Sequence, residues 1–149
     1  GLMGTVARAC LEKGGHVTGV TIDALMTVEG SPPQLSELII VSSMHERKKK
    51  MFDLSTAFVV LPGGLGTLDE AFELLTWRQI GLHNKPLIFL NSHDYWTPLL
   101  EILIPHMIQE KFVRSTDQQL FLSTKCVTNV LSLIEREPHD NKNFVSKWG

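Results

Sequence analysis

The 149-residue sequence predicts an α/β fold in which a parallel sheet is covered by helices on both faces. Short apolar runs typical of strands alternate along the chain with longer stretches whose apolar residues recur at helical spacing. Hydrophobic residues make up 43% of the chain and charged residues 20%, which is ordinary for a protein with one buried core. We therefore predict a single domain over residues 1–149 that ends in a polar tail at 137–149.

The first half of the chain alternates between helices and strands. The predicted order is helix 2–13, strand 16–21, loop 23–36, strand 37–41 and helix 44–54. Gly14 and Gly15 end the first helix, because glycine readily takes the left-handed conformation of a helix C-cap. The loop lacks both periodicities. Because Gly1 to Gly4 looks like the second half of a glycine turn, we expect the fold's first strand and helix to lie upstream.

The second half continues the same alternation. The predicted order is strand 56–61, helix 67–80, strand 86–90, a helix from Thr97-Pro98 to Ile108, strand 120–122 and helix 125–136. Gly81 stands where a C-cap of its helix would, and Pro105 should kink the helix that contains it. That helix is apolar on nearly all sides, so it needs cover on more than one face, and a subunit interface is one source of cover.

The strongest chemical signal is the loop Pro62-Gly63-Gly64-Leu65-Gly66-Thr67 between a buried strand and an amphipathic helix. Glycines let the backbone approach a ligand closely, and the amides of a helix N-terminus bind anions, phosphate above all. The pattern is neither a Walker loop nor a dinucleotide fingerprint. A tight turn that merely needs glycine is the alternative explanation.

Glu70 follows this loop and has two explanations. Thr67-Leu68-Asp69-Glu70 fits a capping box, in which the glutamate bonds back to the first amide of the helix. A carboxylate beside an anion site also suits acid–base chemistry. The sequence leaves both open.

A pair of cations, Arg47 and Lys48, forms the second signal. On a helical wheel of residues 44–54 they share a face with two methionines, whereas Lys49 and Lys50 lie on the opposite, solvated face. Cations in apolar surroundings favour an anionic partner, and the planar fork of arginine suits phosphate or carboxylate.

Composition excludes several classes. A net charge of −2 offers no general attraction to nucleic acid or to an anionic membrane, and no apolar run is long enough for a membrane span. Two cysteines without metal or redox spacing favour a reducing, cytoplasmic location, and the histidines show no zinc-ligand spacing.

Two motifs, Met44-His45-Glu46-Arg47-Lys48 and the glycine loop continued to Glu70, together resemble the paired signature of the Lonely Guy family. These are the cytokinin riboside 5′-monophosphate phosphoribohydrolases, also labelled lysine decarboxylase-like. The resemblance implies a Rossmann-like fold in three α/β/α layers, a homodimer, no cofactor, and hydrolysis of the N-glycosidic bond of an adenosine-type nucleoside 5′-monophosphate.

The resemblance also assigns roles to residues. It implies that Arg47 and Glu70 are the catalytic pair. The nucleotide-binding set it implies consists of Gly63, Gly64, Gly66, Thr67 and Lys48, with Gly1 and Gly4 as the end of a first glycine loop. Cytokinin nucleotides and AMP both remain open as substrates.

Two further functions compete with this hypothesis. A pyridoxal-phosphate decarboxylase would need a Schiff-base lysine, for which Lys48 is the one remotely suitable residue. A nucleotide or molybdenum-cofactor carrier would need the glycine loop but not the carboxylate of Glu70, which would repel a bound phosphate.

Overall fold

The computed structural model of the protein describes residues 1–29 and 35–136. Two compact units are present, Gly1–Ser55 and Thr56–Gly149. The predicted polar tail, 137–149, and residues 30–34 of the predicted loop lie outside the described residues. Whether the chain is a single domain therefore stays a prediction.

The first unit pairs two parallel strands through a helical connection. Its elements are α1 (Leu2–Glu12), β1 (Thr18–Ile22), α2 (Asp23–Glu29), β2 (Glu37–Val41) and α3 (Met44–Leu54). The strands run in register from Thr18 beside Glu37 to Ile22 beside Val41. The predicted order of elements is confirmed here except for the loop.

The predicted loop over 23–36 is wrong in its first part, because α2 begins directly at the end of β1. Ala24, Leu25 and Met26 are strong helix formers, and Asp23 places a negative charge at the helix N-terminus, where the helix dipole favours it. Seven residues are too few for helical periodicity to be recognised in the sequence.

The predicted stop at the end of α1 is confirmed in atomic detail. Gly14 has a φ of 75°, and its N–H donates to the carbonyl of Leu11, while the N–H of Gly15 donates to that of Cys10. This pair of bonds is the Schellman motif, which satisfies the last carbonyls of a helix.

The second unit contains a parallel sheet of three strands in the order β3-β4-β5. Its elements are β3 (Phe58–Val60), α4 (Leu65–Gln79), β4 (Leu87–Leu90), α5 (Ile104–Gln109), β5 (Leu122–Thr124) and α6 (Val130–Arg136). Parallel strands joined by helices thus recur in both units, which confirms the predicted α/β, Rossmann-like class.

The core of the second unit is built on β4. Leu87, Ile88 and Phe89 are completely buried, as expected for a central parallel strand that reads as a continuous apolar run. The ring of Phe89 packs edge-on against Trp96 and Phe121, each with centroids 5.5 Å apart. Such pairs contribute about 0.5–1.5 kcal/mol each beyond the area that they bury.

The segment after Thr97 shows how the chain accommodates Pro105. Residues Pro98–Leu103 form a π-helix that continues directly into α5, with Pro105 in its first turn. Proline lacks the N–H that an α-helix would direct at residue 101. The helix type changes immediately before Pro105, whereas a kink at this proline stays a prediction.

The last predicted elements are displaced toward the C-terminus. A 3₁₀-helix at Ser115–Leu120 occupies the start of the predicted strand, and another at Val127–Asn129 precedes α6. Side chains of α4 hold the first of these in place, because Arg78 donates to the carbonyl of Leu120 at 3.1 Å and Gln79 to Asp117 at 2.8 Å. The strand consequently begins only at Leu122.

Among residues 1–29 and 35–136, no helix combines the length and the apolarity that crossing a membrane would require.

Candidate functional site

The glycine loop joins the carboxyl end of β3 to the amino end of α4. The helix begins at Leu65 with Gly64 as its N-cap, and no side chain caps its first turn. The first amides of a helix have no acceptor within the helix itself, so their N–H groups are directed outward at its N-terminus. This is the geometry of an anion site.

The glycines of this loop differ in what the fold demands of them. A Cβ at Gly63 would lie 2.9 Å from the Cβ of Thr67, so the fold itself requires glycine there. At Gly64 and Gly66 an added Cβ would have no atom of the described residues within 4 Å apart from the adjacent residues and the backbone of the same helix, and the φ of Gly64 is −98°. A tight turn therefore explains Gly63 but neither of the other two, whose open faces leave room for a ligand.

Of the two explanations that the sequence left open for Glu70, the capping box is wrong. Because α4 starts at Leu65, Thr67 already lies in its first turn and Glu70 in its second. The predicted start at Thr67 was too late since Leu65-Gly66 follows a glycine pair and has no helical pattern of its own. Glu70 is half-buried, three residues after Thr67.

A residue that sequence analysis missed, Tyr95, contacts the loop directly. Its hydroxyl donates a hydrogen bond of 2.7 Å to the carbonyl oxygen of Gly63. Tyr95 follows β4, the strand that pairs with β3, and the carboxyl ends of neighbouring parallel strands lie at the same edge of a sheet. That rule is the signal that could have indicated this segment.

An open, mainly apolar cavity of about 440 Å³ adjoins the loop. The residues lining it are Gly63, Gly64, Leu65, Leu68, Tyr95, Trp96, Pro98, Leu99 and Leu103. The indole N–H of Trp96 is buried without a hydrogen-bond partner among the described residues. The glycine loop thus borders space with apolar and aromatic walls.

In the first unit, α3 places the side chain of Arg47 against the middle of β1. Ser43 caps α3 by accepting from the N–H of Glu46, and the Glu46 carboxylate accepts from the N–H and hydroxyl of Ser42. These bonds from Ser42 hold the pKa of Glu46 below its usual range. With the helix start fixed in this way, the Nε of Arg47 donates to the carbonyl of Val20 at 3.0 Å.

The two faces predicted for α3 differ in exposure. Arg47 and Lys48 are both half-buried. Lys49 is exposed and pairs with Asp53, one turn later, at 2.6 Å. The prediction of a solvated face is therefore confirmed for Lys49 but wrong for Lys50, which is half-buried.

The remaining predicted residues, Gly1 and Gly4, lie at the start of α1. Gly1 is its N-cap, and an added Cβ at either glycine would meet no atom of the described residues within 4 Å. Gly1, Gly4, Arg47 and Lys48 belong to the first unit, whereas the glycine loop and Glu70 belong to the second.

Comparisons with known proteins cover most of the chain. A family described as possible lysine decarboxylase matches residues 3–134. A cytokinin riboside 5′-monophosphate phosphoribohydrolase of Rhodococcoides fascians is 42% identical over 135 residues, which are 90% of this chain and 68% of the relative. One of Arabidopsis thaliana is 37% identical over 147 residues, 99% of this chain and 68% of the relative. A probable cytokinin riboside 5′-monophosphate phosphoribohydrolase of Oryza sativa subsp. japonica is 41% identical over 136 residues, which are 91% of this chain and 60% of the relative.

Proposed function

The chain belongs to the Lonely Guy, or possible lysine decarboxylase, family, and from this premise we propose that it hydrolyses the N-glycosidic bond of an adenosine-type nucleoside 5′-monophosphate. Water is consumed, and the products are the free base and ribose 5-phosphate. The relatives named above carry names that specify a cytokinin riboside 5′-monophosphate. AMP is the second candidate substrate, and no cofactor takes part in the proposed reaction.

The observation that carries this proposal is the pair of open glycines at the uncapped amino end of α4. Gly64 and Gly66 have no steric reason to be glycine, yet an anion against the outward amides would fill the space that a side chain would take. A 5′-phosphate is such an anion. Thr67, in the same turn, adds a hydroxyl group to the site.

The proposed chemistry assigns complementary roles to Glu70 and Arg47. Breaking the glycosidic bond develops positive charge on the ribose, which a carboxylate at Glu70 stabilises while it orients or activates the attacking water. The base leaves with the bonding electrons and needs a cation or proton donor, which the guanidinium of Arg47 supplies. A carboxylate at Glu70 would weaken the binding of a phosphate by charge repulsion but can serve the reaction, and this favours turnover over a carrier function.

We further propose that Lys48, Gly1 and Gly4 take part in nucleotide binding. Lys48 contributes positive charge for the phosphate, and Gly1 and Gly4 leave the amino end of α1 open to the substrate. We also propose that the protein acts as a homodimer. Exposed apolar side chains in and after the segment 98–109 support this, including Ile102 at 65% and Phe112 at 85% exposure.

The experiment that tests the proposal uses full-length protein with AMP and with isopentenyladenosine 5′-monophosphate. Free base and ribose 5-phosphate are followed by chromatography. We expect base release in the wild type and a loss of about 100-fold or more in kcat for Glu70→Gln, the usual size of an acid–base contribution. The ratio of kcat/KM between the two substrates ranks them.

Two matched controls sharpen this result. Glu73→Gln makes the same change one turn later on α4, and Lys49→Met removes a cation from the solvated face of α3 near Arg47; both should retain activity. Tight nucleotide binding without base release in the wild type would refute the glycosidase proposal and favour the carrier.

A further inference from the structure

The hydroxyl group of Tyr95, which lies outside the glycine loop in sequence, holds a peptide group of that loop. Tyr95 donates to the carbonyl oxygen of Gly63 at 2.7 Å, and the described residues contain no cis peptide bond. In a planar trans peptide the C=O and the N–H point in opposite directions. Fixing the oxygen of Gly63 therefore also fixes the direction of the N–H of Gly64.

The following peptide is held by a different bond. The N–H of Leu68 donates to the carbonyl of Gly64 at 3.1 Å, which is the first hydrogen bond of α4. By the same planarity, this directs the N–H of Leu65 away from the body of the helix. Successive N–H groups held in this way form a concave anion site, and of these two groups one depends on the helix and the other on Tyr95.

The turn that presents Tyr95 is strained but well held. His93 and Asp94 have φ values of 53° and 59°, in the left-handed region that residues with a Cβ rarely adopt. Such strain persists only where the surroundings determine the conformation. The buried side chain of Asn91 accepts from the N–H of Trp96 at 2.7 Å and donates to the Thr97 hydroxyl at 3.0 Å.

An ion pair adds to this support. Lys125, which follows β5, contacts the carboxylate of Asp94 at 2.5 Å, and the Thr97 hydroxyl donates to the same carboxylate at 3.2 Å. The hydrogen bond from Lys125 keeps the pKa of Asp94 below its usual range, so this carboxylate stays charged at neutral pH. These bonds hold the turn on both sides of Tyr95 and so position its hydroxyl group at the loop.

We propose that Tyr95 is a positioning residue for the phosphate of the substrate, because its hydroxyl holds the Gly63–Gly64 peptide with the N–H of Gly64 ready to bind. This inference rests on the proposed function. Without the hydroxyl, the peptide must lose its rotational freedom when the phosphate binds, and the affinity for phosphate falls. Under this proposal the peptide binds only the phosphate, so we expect contacts to the base to be unaffected.

Tyr95→Phe tests this proposal in the full-length protein, because the ring can keep its edge-on contact with Trp96, at 4.9 Å between centroids. We expect the Kd values of ribose 5-phosphate and AMP, measured by calorimetry in a Glu70→Gln background so that AMP is not hydrolysed, to rise about three- to tenfold, the range for one hydrogen bond of ordinary strength. The Kd of adenosine should be unchanged, and KM should rise while kcat is retained.

The matched control is Thr76→Val, which removes another hydroxyl-to-carbonyl bond of the second unit, from Thr76 to Phe72 at 2.8 Å. It should leave all three Kd values unchanged. Unchanged phosphate affinity in Tyr95→Phe, or equal weakening of AMP and adenosine, would overturn the positioning role. If no protein releases base but Tyr95→Phe still weakens ribose 5-phosphate binding, the proposed function fails and the positioning role stands.

Discussion

At the scale of single residues, the glycine loop separates the demands of the fold from those of a ligand. Gly63 is required by its contact with Thr67, whereas Gly64 has space for a methyl group. Gly64→Ala should therefore leave the free energy of unfolding within about 0.5 kcal/mol of the wild type, as for changes that remove no contact. The same methyl group would occupy the proposed phosphate position, so the Kd of AMP should rise at least tenfold.

The control for this prediction is Gly63→Ala, which should lower the melting temperature because its Cβ overlaps Thr67. Thermal unfolding and calorimetric titration of both variants provide the comparison. If Gly64→Ala binds the nucleotide with the same Kd as the wild type, the glycine loop is not part of the nucleotide site.

The burial of His83 allows us to predict how the free energy of unfolding depends on pH. Its ring is 7% exposed, with Nε2 hydrogen-bonded to the carbonyl of Leu74 at 2.8 Å and Nδ1 accepting from the N–H of Lys85 at 3.1 Å. Burial lowers the pKa of His83, although the bond to Leu74 opposes this, and the charges of Arg78 and Lys85 lower it further. The folded protein therefore holds this ring neutral.

A lowered pKa in the folded state means that the unfolded chain takes up the proton more readily. The contribution of His83 to stability is thus complete above the unfolded pKa of about 6.5 and is lost as the pH falls toward the folded value. His83→Gln should flatten the decline in melting temperature between pH 7 and pH 5. His106→Gln, at an exposed histidine, should keep the wild-type slope; identical slopes in all three proteins would contradict this account.

At the scale of elements, α5 ends in the same way as α1 and α4 but without glycine. The N–H of Lys111 donates to Ile108 and that of Phe112 to Met107, a Schellman motif in which Lys111 has a φ of 65°. Gly81, with a φ of 82°, occupies this position after α4. Lys111→Gly should remove the strain of a lysine in the left-handed conformation. Glycine also raises the conformational entropy of the unfolded chain, which partly offsets this gain.

The net effect should be a stabilisation of about 0.5–1 kcal/mol, measured by urea unfolding. Gly81→Ala is the reverse change at an equivalent position and should destabilise the protein by a similar amount. A destabilised Lys111→Gly variant would show that the lysine side chain contributes more than its backbone strain costs.

Local signals explain which elements the sequence could predict. Gly14 and Gly81 mark helix ends through an intrinsic backbone preference, so both stops were predicted, whereas the stop at Lys111 had no such mark. The start of α4 at Leu65 was not predicted because no N-cap side chain marks it in the sequence. The delayed start of β5 depends on side chains of α4 more than 35 positions earlier in the chain, which no local window contains.

The same distinction between local signals and contacts distant in sequence applies to the candidate site residues. The glycine loop and the Arg47-Lys48 pair are contiguous motifs, each within one unit, and could be recognised directly. Tyr95 could not, because its role depends on the pairing of β3 with β4 and on a strained turn whose support comes from Asn91 and Lys125. Contacts of this kind become visible only once the sheet is assembled.

At the scale of the whole molecule, exposed apolar surface predicts self-association. Ile102 and Phe112 are 65% and 85% exposed within and just after the segment 98–109, which adjoins the cavity beside the glycine loop. Single exposed apolar side chains are common on monomers, but several within one segment favour a subunit contact. We expect the full-length wild type to have the mass of a dimer at micromolar concentration.

Ile102→Glu should shift this equilibrium to the monomer, because a dimer would bury two uncompensated charges. Light scattering after size exclusion measures the mass, and circular dichroism verifies that the variant is folded. Leu82→Glu makes the same change at a residue of 66% exposure outside the segment and should remain dimeric. A folded Ile102→Glu protein that keeps the dimer mass would place the contact elsewhere, and a monomeric wild type would refute the dimer itself.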